Sequence, residues 1–453
     1  MLAYPQTSDI TGHATVSRDE IKYYKKRAEF LNDKALLKRG IVVYFLLLIF
    51  EGALRKWVLP GLATPVLVIR DPIAIWLIIK AMKKGLLPSN IFISLMVVVS
   101  VTSIFTALFL GHKSLIVAAF GARILLIHFP LIFVIGRVLT PQDVVRIGKL
   151  SLWISIPMTV IIALQFYSPQ SAWINRGIGG ETSGGGFDGA MGYFRPPATF
   201  SFTNGTTLFY SFCAPFIFYF WLHKKDVNIL MLIAATVGLL AAIPLSISRS
   251  LFFSVGVSAI FTLMAIFKKP KYLGSIFLIV LALLVSLTFL SHSGFFQTAT
   301  QAFTSRFETA NKIEGGVKGV LGDRYFGGMI GALTASSHLP FFGYGLGMGT
   351  NVGGMLLTGK TTFLISEGEW GRLIGEMGTL FGLIVIFLRL ALCAKISVLC
   401  YKKLTVGDLL PWMLLSFALL QIPQGQWAQP TSLGFSTMIG GLIIASCKFS
   451  RRT

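Results

Sequence analysis

Arginines at the edges of apolar segments are the first residues in this sequence that could do chemistry. A guanidinium group stays protonated at any physiological pH, and its planar fork of N–H donors matches the oxygens of a phosphate. Several such groups facing one ligand would hold a pyrophosphate and stabilise the negative charge that grows on it as it leaves. The candidates are Arg195, Arg249, Arg306, Arg324 and Arg372, with Arg123 inside an apolar segment.

Arg249 is the most informative of these residues, because Ser246 to Ser250 form a short polar hinge between two apolar segments. An arginine at membrane depth is costly unless it faces a wet cavity or a charged partner. The hinge therefore favours a ligand-binding role for Arg249. Snorkelling of the side chain to the membrane interface is the alternative for Arg249 and for Arg306.

Arg123 and His128 lie five residues apart inside one apolar segment. A charge buried there indicates a function such as ligand binding. A carboxylate from another segment, such as Glu51 or Asp71, would instead satisfy the charge structurally. Both interpretations of Arg123 stay open at the level of sequence.

Carboxylates stand where the chain enters a later apolar segment, at Glu367, Glu369 and Glu376. A partly desolvated glutamate can act as a general base that takes a proton from an attacking hydroxyl group. Glu367 and Glu369 could instead cap the helix that begins there, because negative charge is favoured at a helix N-terminus. The two roles are compatible.

The connection from Gln421 to Pro430 is rich in amides and contains one tryptophan. Amides beside an aromatic face suit the hydroxyls and C–H groups of a sugar, so Gln424 and Trp427 are candidate sugar-binding residues. A tryptophan that anchors the chain at the membrane interface is the alternative for Trp427.

Nucleotide and metal motifs are missing from the sequence. Glycines alternate from Gly343 to Gly349, but no strand precedes them and no Lys-Ser or Lys-Thr pair follows. No spacing of cysteines and histidines fits zinc, and no paired aspartates suit a divalent cation. We therefore expect chemistry without a metal or a cofactor. The four cysteines are expected to stay free, because none lies in the long polar connections.

Composition places these residues in a membrane protein. Of the 453 residues, 54% are hydrophobic and 13% are charged, and the mean hydropathy is +0.74. A bilayer core needs about 20 apolar residues per spanning helix, and such runs recur along nearly the whole chain. The formal charge of +22 falls mainly between apolar runs, where membrane topology explains it, so no nucleic acid is expected as a partner.

Backbone polar groups in lipid must be paired within the chain, and the apolar runs lack the alternation of barrel strands. The sequence therefore predicts an all-α polytopic membrane protein with about twelve transmembrane helices. The predicted segments are 40–58, 63–80, 90–110, 114–138, 150–168, 199–222, 227–247, 250–267, 272–290, 371–394, 408–422 and 432–447.

Lysine and arginine are concentrated in every second connection, from the N-terminal cluster to the final residues. Cytoplasmic connections carry excess positive charge, so both termini are predicted to be cytoplasmic. Two outward connections are long, a glycine-rich loop at 169–198 and a large polar loop at 291–370 between the ninth and tenth helices. A flexible linker is the alternative for the first. The predicted divisions are a basic segment 1–39, helices in 40–290, the loop 291–370, helices in 371–447 and a tail 448–453.

The arrangement of twelve helices, cytoplasmic ends and a large outer loop resembles the O-antigen ligase and Wzy-type polymerase superfamily of bacterial envelope glycosyltransferases. The likeness extends throughout the chain, and local pieces follow in a similar order. These pieces are Arg195-Pro196-Pro197-Ala198-Thr199-Phe200 with Asn204, Ser248-Arg249, Arg324 ahead of Leu339-Pro340-Phe341-Phe342-Gly343-Tyr344-Gly345-Leu346-Gly347, and Gly375-Glu376-Met377-Gly378 with Gly382.

This resemblance implies an inverting, metal-independent glycan polymerase or ligase of the bacterial inner membrane, which takes sugars from a polyprenyl-pyrophosphate-linked donor. The implied partners are that donor, a glycan or lipid-linked acceptor, membrane lipid and other polysaccharide-assembly proteins. Outer arginines of the superfamily hold the pyrophosphate, which fits Arg195, Arg249 and Arg324.

The resemblance also bears on the general base. Superfamily members often carry a His-Asn pair nine residues before the glutamate that Glu376 matches, and this chain has Glu367-Gly368 there. Glu367 could replace that histidine, and His338 is a second candidate. The missing pair favours a polymerase over a ligase.

A secondary transporter is the alternative class of protein. Arg123, His128, Glu51 and Asp71 would then form an anion or proton path near the membrane midplane. Uptake of a substrate into proteoliposomes distinguishes the two classes, because a polymerase should show none.

Overall fold

The computed structural model describes most of the chain as helices joined by short connections. Its one described sheet is a hairpin of β1 (Phe187–Ala190) and β2 (Tyr193–Arg195), in which Phe187 lies opposite Arg195. The described residues are 18–268, 274, 288, 294–314, 327–334, 339–360, 364–366 and 368–448.

Fifteen helices of seven or more residues lie within the described ranges, and they account for most of those residues. Short helical turns at Leu54–Val58, Pro60–Leu62 and Ala63–Val66 join the first two. The helices are α1 (Arg18–Ala53), α2 (Arg70–Lys83), α3 (Ile91–Phe109), α4 (Leu115–Arg123), α5 (Phe129–Val138), α6 (Pro141–Tyr167), α7 (Thr203–Leu222), α8 (Ile229–Leu245), α9 (Arg249–Lys268), α10 (Gly294–Glu314), α11 (Gly328–Thr334), α12 (Asn351–Thr358), α13 (Glu369–Thr405), α14 (Leu410–Gln421) and α15 (Pro430–Ser446).

By length and composition, seven helical stretches of the described chain could cross a membrane. A further three helices, α8, α14 and α15, are apolar but shorter. This agrees with the predicted all-α membrane protein. The seven stretches are Pro60–Lys83, Ile91–Phe109, Leu115–Val138, Pro141–Tyr167, Thr203–Leu222, Arg249–Lys268 and Glu369–Thr405.

The predicted segments correspond to these helices wherever the chain is described. Segment 40–58 is the second half of α1 with the turn that follows it. Segment 272–290 lies almost entirely outside the described residues, and parts of the predicted loop 291–370 lie outside them as well. The count of twelve helices and the extent of that loop therefore stay predictions.

Helix α7 lies at the centre of the bundle. It is the least apolar of the seven stretches, and the part of it long enough to cross a membrane is entirely buried. It packs against α6, α8, α9, α14 and α15, and the ring of Phe212 lies 5.4 to 5.9 Å from four other phenylalanine rings. A helix surrounded by other helices meets no lipid, so protein packing sets its composition.

Lysines concentrate at one end of the bundle, which we call the basic end. Lys38 pairs with Asp143 at 2.6 Å, and Lys80 pairs with Asp33 at 2.9 Å. Hydrogen bonds from Lys84 and Lys80 lower the pKa of Asp33 below its usual value. We call the opposite end, which carries residues 168–202 and 421–430, the loop end.

A break in α13 receives the chain segment 341–345 at the loop end. Gly378 has φ 73° and ψ 171° inside the helix, a conformation that essentially only glycine adopts. The break frees the carbonyls of Gly375 and Glu376, which accept from the amides of Tyr344 (2.8 Å) and Gly345 (3.0 Å). The freed groups are therefore paired again, as an apolar environment requires.

We expect Gly378→Ala to destabilise the protein by about 1–3 kcal/mol, because of its backbone conformation. A Cβ at this position would also collide with the carbonyl oxygen of Phe341. The melting temperature in detergent is the measurement.

Gly256→Ala is the matched control, since Gly256 lies within α9 and a Cβ there meets nothing within 4 Å. Alanine is a better helix former than glycine, so this control should melt at or above the temperature of the unchanged protein. Equal melting of the Gly378→Ala variant would contradict the interpretation of the break.

Candidate functional site: an arginine cluster at the loop end

Three of the predicted arginines meet around Gly189 in the hairpin. Arg306 of α10 donates from Nη1 to the carbonyl of Gly189 at 2.9 Å. A Cβ built on Gly189 would lie 3.5 Å from Cγ of Arg195 and against Cδ1 of Ile247. Arg306 and Arg249 are both close enough to repel the charge of Arg195, so the three side chains lie near one another. We call Arg195, Arg249 and Arg306 the arginine cluster.

A tight turn positions Arg249 in this cluster. Ile247 has φ 48°, in the left-handed region that side chains rarely adopt, and Arg249 begins α9 directly after it. The hydroxyl of Ser248 accepts from the amide of Leu251 at 3.3 Å and lies 2.9 Å from the hydroxyl of Thr207. The polar hinge predicted at 246–250 is therefore a capped helix start, fixed against the central helix α7.

Electrostatics at Arg195 make the cluster receptive to an anion. Burial, followed by repulsion from Arg306 and Arg249, lowers the pKa of Arg195 to about 10. All three causes disfavour the charged form, although a group with this pKa remains protonated at neutral pH. Its Nε is buried and has no hydrogen-bond partner among the described residues. A phosphate would offset the repulsion and supply an acceptor.

Three of the predicted site residues lie outside the part of the chain that the structure describes. Arg324, Glu367 and His338 lie outside the described residues. The pyrophosphate role of Arg324 and the base roles of Glu367 and His338 therefore stay predictions.

Glu369 lies in a second group of charges and is saturated with donors. Arg372 contacts it from Nη2 at 2.9 Å and from Nε at 3.1 Å. Arg389 donates to it at 2.6 Å, and the amide of Trp427 donates at 3.0 Å. Since Glu369 is only 4% exposed, these contacts favour a structural role over that of a base, which must reach its substrate.

Glu376 extends this group toward the loop that enters the break in α13. Its Oε2 accepts from Arg372 at 2.6 Å, and its Oε1 accepts from the amide of Gly349 at 2.8 Å. Arg372 therefore lies between two carboxylates and needs no ligand. We call Glu369, Arg372, Glu376 and Arg389 the ion-pair network.

Arg389 ties the network to the connection 421–430. It donates to the carbonyls of Ile422 (2.8 Å) and Gly425 (2.9 Å), and its guanidinium lies 3.8 Å from the ring centroid of Trp427. Arg389 was not among the predicted site residues. A charge within the predicted segment 371–394 could have indicated a buried partner or a functional role.

The position of Trp427 differs from both sequence interpretations. Its side chain is 1% exposed, and its indole N–H donates to the carbonyl of Gln421 at 3.3 Å. A side chain enclosed in this way neither anchors the chain in lipid nor offers a face to a sugar. Gln424, on the same connection, is half-buried.

Arg123 is paired with a carboxylate, as one of the two sequence interpretations proposed. Its Nη1 lies 2.7 Å from Asp71, and its guanidinium lies 4.0 Å from the ring centroid of Phe120. His128 contacts the other oxygen of Asp71 at 3.0 Å and the hydroxyl of Tyr44 at 3.0 Å. These contacts favour the structural interpretation of Arg123.

Glu51 is part of the same buried region. Arg70, the neighbour of Asp71, contacts Glu51 at 3.1 Å and donates to the carbonyl of Pro430 at 2.7 Å. Helices α1, α2 and α15 are thus linked through one guanidinium. Of the residues predicted as a transport path, Asp71, Arg123 and His128 contact one another, and Glu51 is paired with Arg70.

The described fold and these groups define an all-α membrane protein with charges buried between its helices and an arginine cluster at one end. Comparison of the chain with models of known families, with curated proteins and with solved structures finds no match.

Glu369→Gln tests the structural role of Glu369. Removing this charge takes away the carboxylate that pairs with the buried Arg389 and leaves Arg372 with Glu376 alone, so we expect destabilisation of about 3–5 kcal/mol. Yield and melting temperature in detergent are the measurements.

Glu29→Gln, on the exposed part of α1, is the control and should melt like the unchanged protein. A Glu369→Gln variant with unaltered melting but no activity would restore Glu369 as a candidate base.

Proposed function

We propose that this chain is an inverting glycosyltransferase of the bacterial inner membrane, a glycan polymerase or ligase that uses a polyprenyl-pyrophosphate-linked donor. The observation that carries the proposal is the convergence of Arg195, Arg249 and Arg306 on Gly189. Like charges repel, and burial beside two others lowers the pKa of Arg195. A bound anion would offset this repulsion at Arg195, whose buried Nε has no hydrogen-bond partner among the described residues.

A diphosphate fits this site better than a single carboxylate would. Each guanidinium can donate two parallel N–H bonds to phosphate oxygens. In the proposed reaction the acceptor hydroxyl attacks the anomeric carbon, the bond from that carbon to the pyrophosphate oxygen breaks, and the bonding electrons go to the pyrophosphate. The arginine cluster stabilises the charge that grows there. The hydroxyl proton passes to a base, for which Glu367 and His338 remain the candidates.

The charge distribution supports an orientation. Lys38, Lys80, Lys84 and Lys448 lie at the basic end, and excess positive charge marks the cytoplasmic side. We therefore propose that both termini are cytoplasmic and that the loop end faces outward, where lipid-linked glycans are joined.

A secondary transporter is the second candidate, because Glu51, Arg70, Asp71, Arg123 and His128 are charged or titratable groups buried together between helices. Buried ionisable groups in a membrane often mark an ion path. This candidate predicts substrate uptake by proteoliposomes that contain the purified protein, and uptake that is lost in Asp71→Asn. A glycosyltransferase shows no uptake in the same vesicles.

The proposed enzyme makes a direct prediction for the arginine cluster. Arg195→Ala and Arg249→Ala should each reduce glycan assembly by about 100-fold or more, because each removes a donor from the departing pyrophosphate. Surface polysaccharide is measured by gel electrophoresis in strains that carry each variant, and membrane protein by immunoblot.

Arg146→Ala is the matched control, since the side chain of Arg146 is 78% exposed at the basic end. It should leave polymer length and amount unchanged. Normal polymer in the Arg195→Ala and Arg249→Ala strains, with normal protein levels, would refute the assignment.

A further inference from the structure

An exposed aromatic pair lies at the loop end. Trp173 is 55% exposed, and its ring stacks on that of Trp57 with centroids 5.5 Å apart and planes inclined by 25°. The ammonium of Lys56 lies 4.7 Å from the ring centroid of Trp57. Trp173 is thus exposed, and its ring packs on Trp57, which in turn contacts Lys56.

The turn that carries Trp173 is held firmly. The buried side-chain amide of Asn175 donates to the carbonyls of Gln165, Ser168 and Pro169 at 3.0 to 3.1 Å. Gln165 in turn donates to the carbonyl of Ile174 at 2.9 Å. The exposed ring is therefore fixed in place, which lowers the entropic cost of binding to it.

The turn that carries Trp57 is held as firmly. Arg55 donates to the hydroxyl of Ser201 at 2.8 Å and to the carbonyl of Ala63 at 2.7 Å. Lys56 donates to the carbonyl of Ala198 at 2.5 Å. Both tryptophans thus stand on rigid parts of the fold.

Ala198 connects this pair to the arginine cluster. Its carbonyl accepts from Lys56, the neighbour of Trp57, and its amide donates to Gln165 at 2.7 Å, which also holds the Trp173 turn. Arg195 precedes Ala198 by three residues, a span of about 10 Å at full extension. Buried hydrogen bonds therefore link the turns that carry the two tryptophans to the chain that leads from Arg195.

We propose that Trp173, backed by Trp57, is a stacking platform for a sugar ring of the lipid-linked glycan. This inference rests on the proposed function and names how its glycan is recognised. The electron-rich face of an indole attracts the positively polarised C–H face of a pyranose. The platform would hold the glycan while the arginine cluster holds the pyrophosphate.

A membrane anchor is the competing role for an exposed tryptophan, and the chain supplies a control for it. Trp153 is 62% exposed on α6, inside the stretch long and apolar enough to cross a membrane. Trp153→Ala removes a comparably exposed indole from the middle of this apolar helix.

The test uses the full chain in detergent micelles and neutral oligosaccharides of about two to six sugars, released by partial hydrolysis of the source bacterium's surface polysaccharide. Affinity is measured by calorimetric titration. We expect Trp173→Ala to weaken binding about ten-fold or more and Trp173→Phe to weaken it less than about three-fold. Trp153→Ala should bind like the unchanged protein.

Three outcomes overturn the platform: no binding by the unchanged protein, equal binding by Trp173→Ala, or an equal loss in Trp153→Ala. Binding of inorganic pyrophosphate to the same preparations separates this failure from failure of the proposed function. If pyrophosphate binding requires Arg195 but oligosaccharide binding does not depend on Trp173, the platform proposal is wrong and the proposed enzyme function is retained. If Arg195→Ala and Arg249→Ala assemble normal polymer, the proposed function fails instead.

Discussion

The cost of burying a charge away from water is the constraint that organises the loop end of this bundle. An ionised group among helices is tolerated only when counter-ions and hydrogen bonds replace its hydration. Glu369 meets this requirement with two arginines and a backbone amide. Arg389 then reaches the connection 421–430, and Glu376 reaches Gly349. The network therefore fixes irregular backbone that could not otherwise lie between apolar helices.

Arg195 differs from these paired arginines, because its buried Nε has no hydrogen-bond partner among the described residues. Arg372 and Arg389 are matched by carboxylates, whereas burial and two like charges all disfavour the charged form of Arg195. Sequences tend to violate local physical rules at functional sites and to compensate elsewhere. The capped turn before Arg249 and the hydrogen bond from Arg306 to Gly189 hold these positively charged groups near one another. A bound anion would offset their repulsion.

The helices could be predicted from the sequence, and so could the pairing of Arg123 with Asp71 as one of two interpretations, but most long-range partners could not. Long apolar runs must be helical in lipid, and Ser246 to Ser250 could be recognised because polar residues rarely interrupt such runs. Pairing is different, since Trp427 and Glu369 are 58 residues apart and no local pattern encodes their contact. Trp427 was misjudged because interfacial tryptophans are common. Trp173 was not predicted as a site residue, because its stack with Trp57 joins two residues that are distant in sequence.

The buried contacts also bear on the choice between enzyme and transporter. Alternating access requires one group of helices to rock against another around a central site. Arg70 links α2 to α1 and α15 through Glu51 and Pro430, and Asp71 links α2 to α4 through Arg123. Such a motion would separate paired charges in a medium of low dielectric constant, where breaking a pair is costly. An enzyme that works on a lipid-carried substrate at one face needs no such motion, so these cross-links favour a stationary bundle with its chemistry at the loop end.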